Sequence, residues 1–349
     1  MNEIILVMEN EFVVVVSFLS FSILILLSLL PSLLFVHNIE ATPSSAPLTI
    51  VSTRDHFELS SGNLFHGHSA TTYYPSLSEV APSCTPDREI VIYVHGWNAN
   101  EQSAIDQFNT VKASLDSLGY RQPIIGFSWD SNTINTGWNW FNWWDAWDLT
   151  DDWEVGKEIA QKNGLKLAKF ILDLKRFCSD ADIHLVGHSL GASVILNALD
   201  RLHNDPRLSL WNANDRNYKV DSVHLLGAAV NPSAISLTQG FGNAIRNEVD
   251  EFHNKYSIQD DVLEEDYRTT ERHIALGEEG VRGWASGLQG IYHQQEISIE
   301  LSPDVDGDGI NDKENLGDDH MGYAGVVNQN TGRVTSDGVI NLLVNEWGH

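Results

Sequence analysis

Basic residues are scarce in this chain. Its 21 Lys and Arg stand against 48 Asp and Glu, a formal net charge of −27 with His neutral. A surface that negative repels phosphate backbones and anionic headgroups, so nucleic acid is disfavoured as a partner. Cysteine is scarcer still: Cys84 and Cys178 are the only two, enough for one bridge at most. No internal repeat divides the 349 residues, and 42% of them are apolar. That length and composition suit one large α/β domain with a full core, or two small domains.

The N-terminus lacks positive charge as well. Phe12 to Val36 is an apolar run without a charged residue, and the stretch before it carries Glu3, Glu9 and Glu11 but no Lys or Arg. The run is long enough to cross a bilayer. Its place suits a signal peptide or an anchor, although an export signal ordinarily opens with positive charge. We therefore read residues 1–41 as a signal peptide or N-terminal membrane anchor, with cleavage after Ala41 and retention both open. A buried core helix is the alternative. Residues 42–87 read as an N-terminal extension that begins with a Pro-, Ser- and Thr-rich linker, and residues 88–349 as the folded domain. The expected location is extracytoplasmic, secreted or held at the membrane by the first segment.

What is present is an alternation of two periods. Leu48–Ser52, Glu89–His95, Pro123–Trp129, Asp182–Val186, Lys219–Gly227 and Glu251–Tyr256 read as strands, several of them β-branched runs typical of buried strands. Glu101–Leu118, Trp153–Phe177, Gly191–Leu202 and Phe241–Val249 read as helices. Strands alternating with helices of this length imply an α/β fold, a mostly parallel sheet covered on both faces.

At the junction of the strand at Asp182 and the helix at Gly191 stands G-H-S-L-G, Gly187 to Gly191. So sharp a strand-to-helix turn strains the backbone of Ser189 and lifts its hydroxyl to the C-terminal edge of the sheet. Side chains at Gly187 and Gly191 would collide with their neighbours. The Leu190 N–H, at the start of the helix, can serve a developing oxyanion. His95-Gly96-Trp97 ends the earlier strand, and the Trp97 N–H can be the second donor. The alternative for each is an ordinary Gly-containing turn.

The series IYVHGWN, helix, GFSWDS, long helix, LVGHSLGA resembles the lipase/esterase branch of the α/β-hydrolases, over roughly residues 88 to 325. This chain differs in carrying Asp130 where those relatives often have Pro, and in its Trp-rich and acidic insertions. The resemblance implies a serine hydrolase acting on an acyl ester or lipid, without a catalytic cofactor. It also implies a triad in chain order Ser, acid, His. On that resemblance Ser189 is the expected nucleophile. YSIQDDVL resembles the family's acid loop and selects Asp260, with Asp261 as neighbour and alternative; Asp221 stands at the start of its strand, at the wrong end of the sheet. Among His273, His293, His320 and His349, the sequence GDDHMGYAG resembles the family's His loop and selects His320. The two strands that follow Cys84 and Cys178 would be neighbours in that arrangement, which implies a disulfide; two unrelated thiols are the alternative.

Two features stand apart from the triad. Asp304, Asp306, Asp308 and Asp312 occupy positions 1, 3, 5 and 9 of a calcium loop, with Gly309 at the turn and the Ile310 carbonyl at position 7. We read 304–315 as an insertion holding a structural Ca²⁺, against the alternative of a solvated acidic loop. Trp138, Trp140, Phe141, Trp143, Trp144, Trp147 and Trp153 crowd one stretch between Asn and Asp residues. A lid, an acyl-binding surface and a sugar-stacking surface all fit it. Two other functions stay open: amide or thioester hydrolysis on the same triad, and a non-catalytic, calcium-stabilised surface binding protein.

Overall fold

The computed structural model describes residues 6–9, 12–15, 48–80, 88–134, 150–211, 218–238, 240–282, 287–301, 318–328 and 331–349. The chain forms two units, Met1–Pro43 and Ser44–His349. In the first, strands β1 (Leu6–Glu9) and β2 (Phe12–Val15) pair antiparallel. The apolar run thus opens as strand, in keeping with its β-branched valines. Its remainder lies outside the described residues. No helix among the described residues is long and apolar enough to cross a membrane.

The second unit is built on seven strands: β3 (Leu48–Ser52), β4 (Glu89–Val94), β5 (Ile124–Ser128), β6 (Asp182–His188), β7 (Val220–Leu226), β8 (Val249–Tyr256) and β9 (Tyr292–Glu296). Their order is β3-β5-β4-β6-β7-β8-β9, and every pairing is parallel. The extension therefore supplies an edge strand, Leu48 pairing beside Ile124. A short helix α1 (Leu77–Val80) follows it. Helices α2 (Glu101–Ser117), α3 (Thr150–Phe177) and α4 (Gly191–Asn204) form the layers.

Alternation along β4 shows both faces buried. Ile90, Ile92 and Val94 join one core cluster with Ile159, Phe170 and Ile171 of α3 and Val194 and Ile195 of α4. Val91 and Tyr93 join the other, with Phe108 and Val111 of α2 and Ile340 and Leu343 of the C-terminal helix. The Asn100 side chain caps α2 by accepting from the Ser103 N–H at 2.9 Å. Helices α3 and α4 meet where Gly164 lies against Asn197; a Cβ there would stand 2.4 Å from the Asn197 Cβ.

Asp130, the residue that departs from the hydrolase pattern, is buried and accepts from three backbone amides. These are Asp55 at 2.9 Å, His56 at 3.0 Å and Phe57 at 2.9 Å. It ties the chain beyond β5 to the turn after β3. Burial pushes its carboxyl above the usual range in spite of those three donors. Nearby, the wholly buried Lys166 Nζ lies 2.9 Å from His56 Nδ1 and donates to Ser69 O and Thr72 O, so this segment is pinned along its length.

Cys178 is disulfide-bonded. It lies just ahead of β6, whose Asp182 pairs with Glu89 of β4. Cys84 lies outside the described residues.

Candidate active site

The turn from β6 into α4 carries Ser189 in the left-handed region, φ 52°. For a residue with a Cβ that conformation is strained, and it persists only where the surroundings impose it. They do so here. The Ser189 N–H donates to Leu226 O at 3.0 Å, and Ser189 O accepts from the Ala229 N–H at 3.2 Å, so the end of β7 holds both sides of the residue. A Cβ on Gly187 would stand 2.7 Å from Ile195 Cδ1, and one on Gly191 2.4 Å from Val94 O. Both collisions expected from the motif are therefore present.

Across from Ser189 lies the end of β4. A Cβ on Gly96 would meet the Ser189 Cβ at 2.9 Å, so only glycine lets the two segments approach this closely. The His95 Nε2 accepts from the Trp129 N–H at 3.0 Å, which puts the ring proton on Nδ1, and Nδ1 donates to Gly96 O at 2.8 Å. The peptide is trans, so anchoring the Gly96 carbonyl turns the Trp97 N–H the opposite way. Trp129 stacks on the His95 ring at 5.6 Å, and burial holds that imidazole neutral, far below its ordinary pKa. Among the described residues, neither the Trp97 nor the Leu190 N–H has a hydrogen-bond acceptor.

Asp260 follows β8 and is fully buried. Both of its carboxylate oxygens accept from His320 Nδ1, at 3.0 and 2.8 Å. Its remaining lone pairs are used by the Leu263 N–H at 3.0 Å and the Tyr323 hydroxyl at 3.2 Å. Asp260, not Asp261, is thus the partner of His320. The pair reaches Ser189 through the residue before it. The His188 Nε2 donates to His320 O at 2.7 Å, and the two rings lie 4.7 Å apart. No hydrogen bond joins Ser189 Oγ to His320 among the described residues; such bonds often tighten only when substrate binds.

The other histidines weighed from sequence stand elsewhere. His293 lies on the edge strand β9 and stacks on His253 at 5.0 Å. His273 lies 5.8 Å from the Tyr267 ring. The terminal His349 lies within 2.7 Å of Glu89 Oε2. That is the start of β4, remote from the elbow. Asp221 accepts from the Ile183 N–H at 2.6 Å, at the same end of the sheet.

Asp304, Asp306, Asp308, Ile310 and Asp312 lie outside the described residues, as do all of the tryptophan-rich stretch but Trp153. Among the described residues one group could bring three metal ligands together: His224, His253 and Glu346. Its chemistry opposes a metal. Trp347 Nε1 donates to His224 Nε2 at 2.9 Å, so His224 Nδ1 carries the proton and offers no lone pair. The Lys255 ammonium already occupies Glu346. This network fastens the C-terminal helix to the sheet.

Comparison with known proteins agrees with this architecture. Residues 78–265, more than half of the chain, match the family described as alpha/beta hydrolase of unknown function (DUF900). The chain belongs to that family. It is also similar to solved structures. A cutinase-like protein from Cryptococcus sp. is 16% identical, with 77% of this chain and 98% of that one covered at a TM-score of 0.33. Trichoderma reesei cutinase, in complex with a phosphonate inhibitor, is 16% identical over 46% and 58% at 0.25. Esterase B from Lactobacillus rhamnosis, inhibited by a tributyrin phosphonate, is 14% identical over 57% and 62% at 0.30. The chain thus spans less than two thirds of the length of the last two. No curated protein matches it.

Four contributors to this site were not assigned a role from sequence: His188, Tyr323, His95 and Trp129. His188 and His95 stand inside motifs already singled out, and Tyr323 follows His320 by three residues. Trp129 follows β5 within GFSWDS, a segment already singled out, but its bond to His95 has no local signature.

Proposed function

We propose that this chain is a serine hydrolase that cleaves carboxylic esters, lipid or other acyl esters being the favoured class, through an acyl-enzyme on Ser189. The observation that carries this reading is the Asp260–His320 hydrogen bond beside a serine held at φ 52°. His320 Nε2 takes the Ser189 proton as Oγ attacks the carbonyl carbon, and Asp260 stabilises the imidazolium that forms. The N–H groups of Trp97 and Leu190, free of other acceptors among the described residues, hold the oxyanion. Collapse expels the alcohol, protonated by His320, and water attacks the acyl-enzyme by the same route.

The location follows as part of the proposal. A disulfide at Cys178 suits an oxidising, extracytoplasmic compartment, and the apolar N-terminal segment suits export or anchoring. Structural calcium at Asp304, Asp306, Asp308, Ile310 and Asp312 rests on their spacing; unchanged activity and melting temperature in excess chelator would remove it. For the chemistry, a fluorophosphonate probe should label the wild type at Ser189, and labelling should vanish in Ser189→Ala and His320→Ala. Absence of labelling in a folded, full-length wild type rejects the reading.

A further inference from the structure

Glycine inside a helix costs roughly 1 kcal/mol relative to alanine, and α3 carries two. Gly164 is accounted for by the approach of α4. Gly156 faces no helix. A Cβ there would stand 2.5 Å from Nε1 and 2.7 Å from Cδ1 of Trp97. The five-membered ring of the indole therefore lies directly on the α3 backbone. Its N–H donates to Thr133 Oγ1 at 2.8 Å, and that hydroxyl donates to Asp152 O, on the preceding turn of α3, at 2.6 Å. Trp153, also on α3, meets the indole edge-to-face at 5.1 Å. The helix thus grips the side chain of Trp97 by sterics, by a relayed hydrogen bond and by an aromatic contact.

The same residue carries the backbone N–H assigned above to the oxyanion. Its preceding carbonyl is anchored by His95 Nδ1. The indole is anchored by α3. With the peptide plane fixed at one end and the Cα substituent at the other, the N–H has one direction left to it. We propose that Gly156, with Thr133, is a positioning residue for ester hydrolysis: it seats the Trp97 indole so that the Trp97 amide points at the oxyanion. This rests on the reading of Ser189 as nucleophile.

A double-mutant cycle on the full chain tests it, with a p-nitrophenyl ester as substrate and fluorophosphonate titration to count active sites. Removing one oxyanion donor outright costs roughly 10²–10³ in kcat; displacing one should cost less. Gly156→Ala should lower kcat per titrated site by about 10- to 100-fold with KM within a few-fold. Trp97→Ala keeps the amide and removes the whole indole, including the Nε1 and Cδ1 that would clash, so Gly156→Ala should add little in the Trp97→Ala background. That non-additivity separates seating from mere helix packing. Should Gly156→Ala fail to fold, Thr133→Val carries the same test. It should lower kcat when Trp97 is present and change nothing in the Trp97→Ala background, which has no indole N–H to orphan.

An active, labelled wild type in which these substitutions act independently of Trp97, or leave kcat within two-fold of wild type, overturns the inference alone. A wild type that neither hydrolyses the ester nor is labelled at Ser189 overturns the hydrolase reading and this inference with it.

Discussion

The His188 imidazole donates from Nε2 to the backbone carbonyl of His320 at 2.7 Å, binding the residue before the proposed nucleophile to the backbone of the proposed base. A side chain inside the elbow thereby sets the height of the His320 loop over the sheet. His188 is buried, and burial together with His320 holds its pKa down to about 3, so it stays neutral and keeps its proton on Nε2.

His188→Leu fills similar space and removes the donor. It leaves a buried carbonyl without a partner, a cost of roughly 1–3 kcal/mol. We expect kcat to fall about ten-fold or more with KM little changed, since the loss acts on the placement of His320. Steady-state kinetics decide it. A His188→Leu enzyme with wild-type kcat would show that the His320 loop is held by other contacts.

Asp260 and Tyr323 should separate cleanly. In Asp260→Asn the amide cannot accept from Nδ1–H at both positions, the imidazole tautomer is wrong, and kcat should fall by roughly 10⁴-fold, as for the comparable protease substitution. Tyr323→Phe removes one of four hydrogen bonds to the carboxylate and leaves both from His320 intact. Its loss of kcat should be about ten-fold or smaller. Equal losses in the two variants would mean that Tyr323 does more than orient Asp260.

The alternation of strand and helix was legible because β4, β5 and β6 are β-branched runs buried on both faces. β9 was not: Tyr-His-Gln-Gln-Glu is an edge strand with His293 and Gln294 exposed, and its pattern is polar. The C-terminal helix Ile340–Glu346 is seven residues long and held by Glu346 on His224, His253 and Lys255, partners far away in the chain. The same division runs through the site. Ser189, Gly187 and Gly191 were readable since a tight turn has local steric demands. Asp260 and His320 needed the chain order implied by the family resemblance. The roles of His188 and Trp129 depend on contacts across 132 and 34 residues, which no local pattern encodes.

Asp130 invites a stability test. Asp130→Ala would orphan the amides of Asp55, His56 and Phe57 in a buried turn. Unsatisfied buried donors cost roughly 1–3 kcal/mol each, less where the turn opens to water. We expect a drop in melting temperature on the order of 10 °C. Asp130→Asn keeps one acceptor oxygen and should fall between the two. Thermal unfolding by circular dichroism is sufficient, and an unshifted midpoint in Asp130→Ala would contradict the role assigned to the three bonds.

Asp266 sits in the π-helical turn Val262–Tyr267 after Asp260, with its Oδ2 buried and without a hydrogen-bond partner among the described residues. Burial, reinforced by Glu265, pushes its carboxyl up from 3.8 to about 7, against the pull of His320. Between those two values the folded chain keeps a proton that the unfolded chain has lost. Folding stability must then fall as pH rises through that window, the sign opposite to that of a salt-bridged aspartate. Asp266→Asn cannot ionise and should lack this slope. The buried histidines titrate in both proteins, so they cancel in the comparison. At about pH 4 the two melting temperatures should nearly coincide. Above about pH 7 the Asp266→Asn protein should melt higher, by an amount that no longer grows. Parallel melting curves across the whole range would mean that Asp266 ionises near its ordinary value, its Oδ2 reached by water.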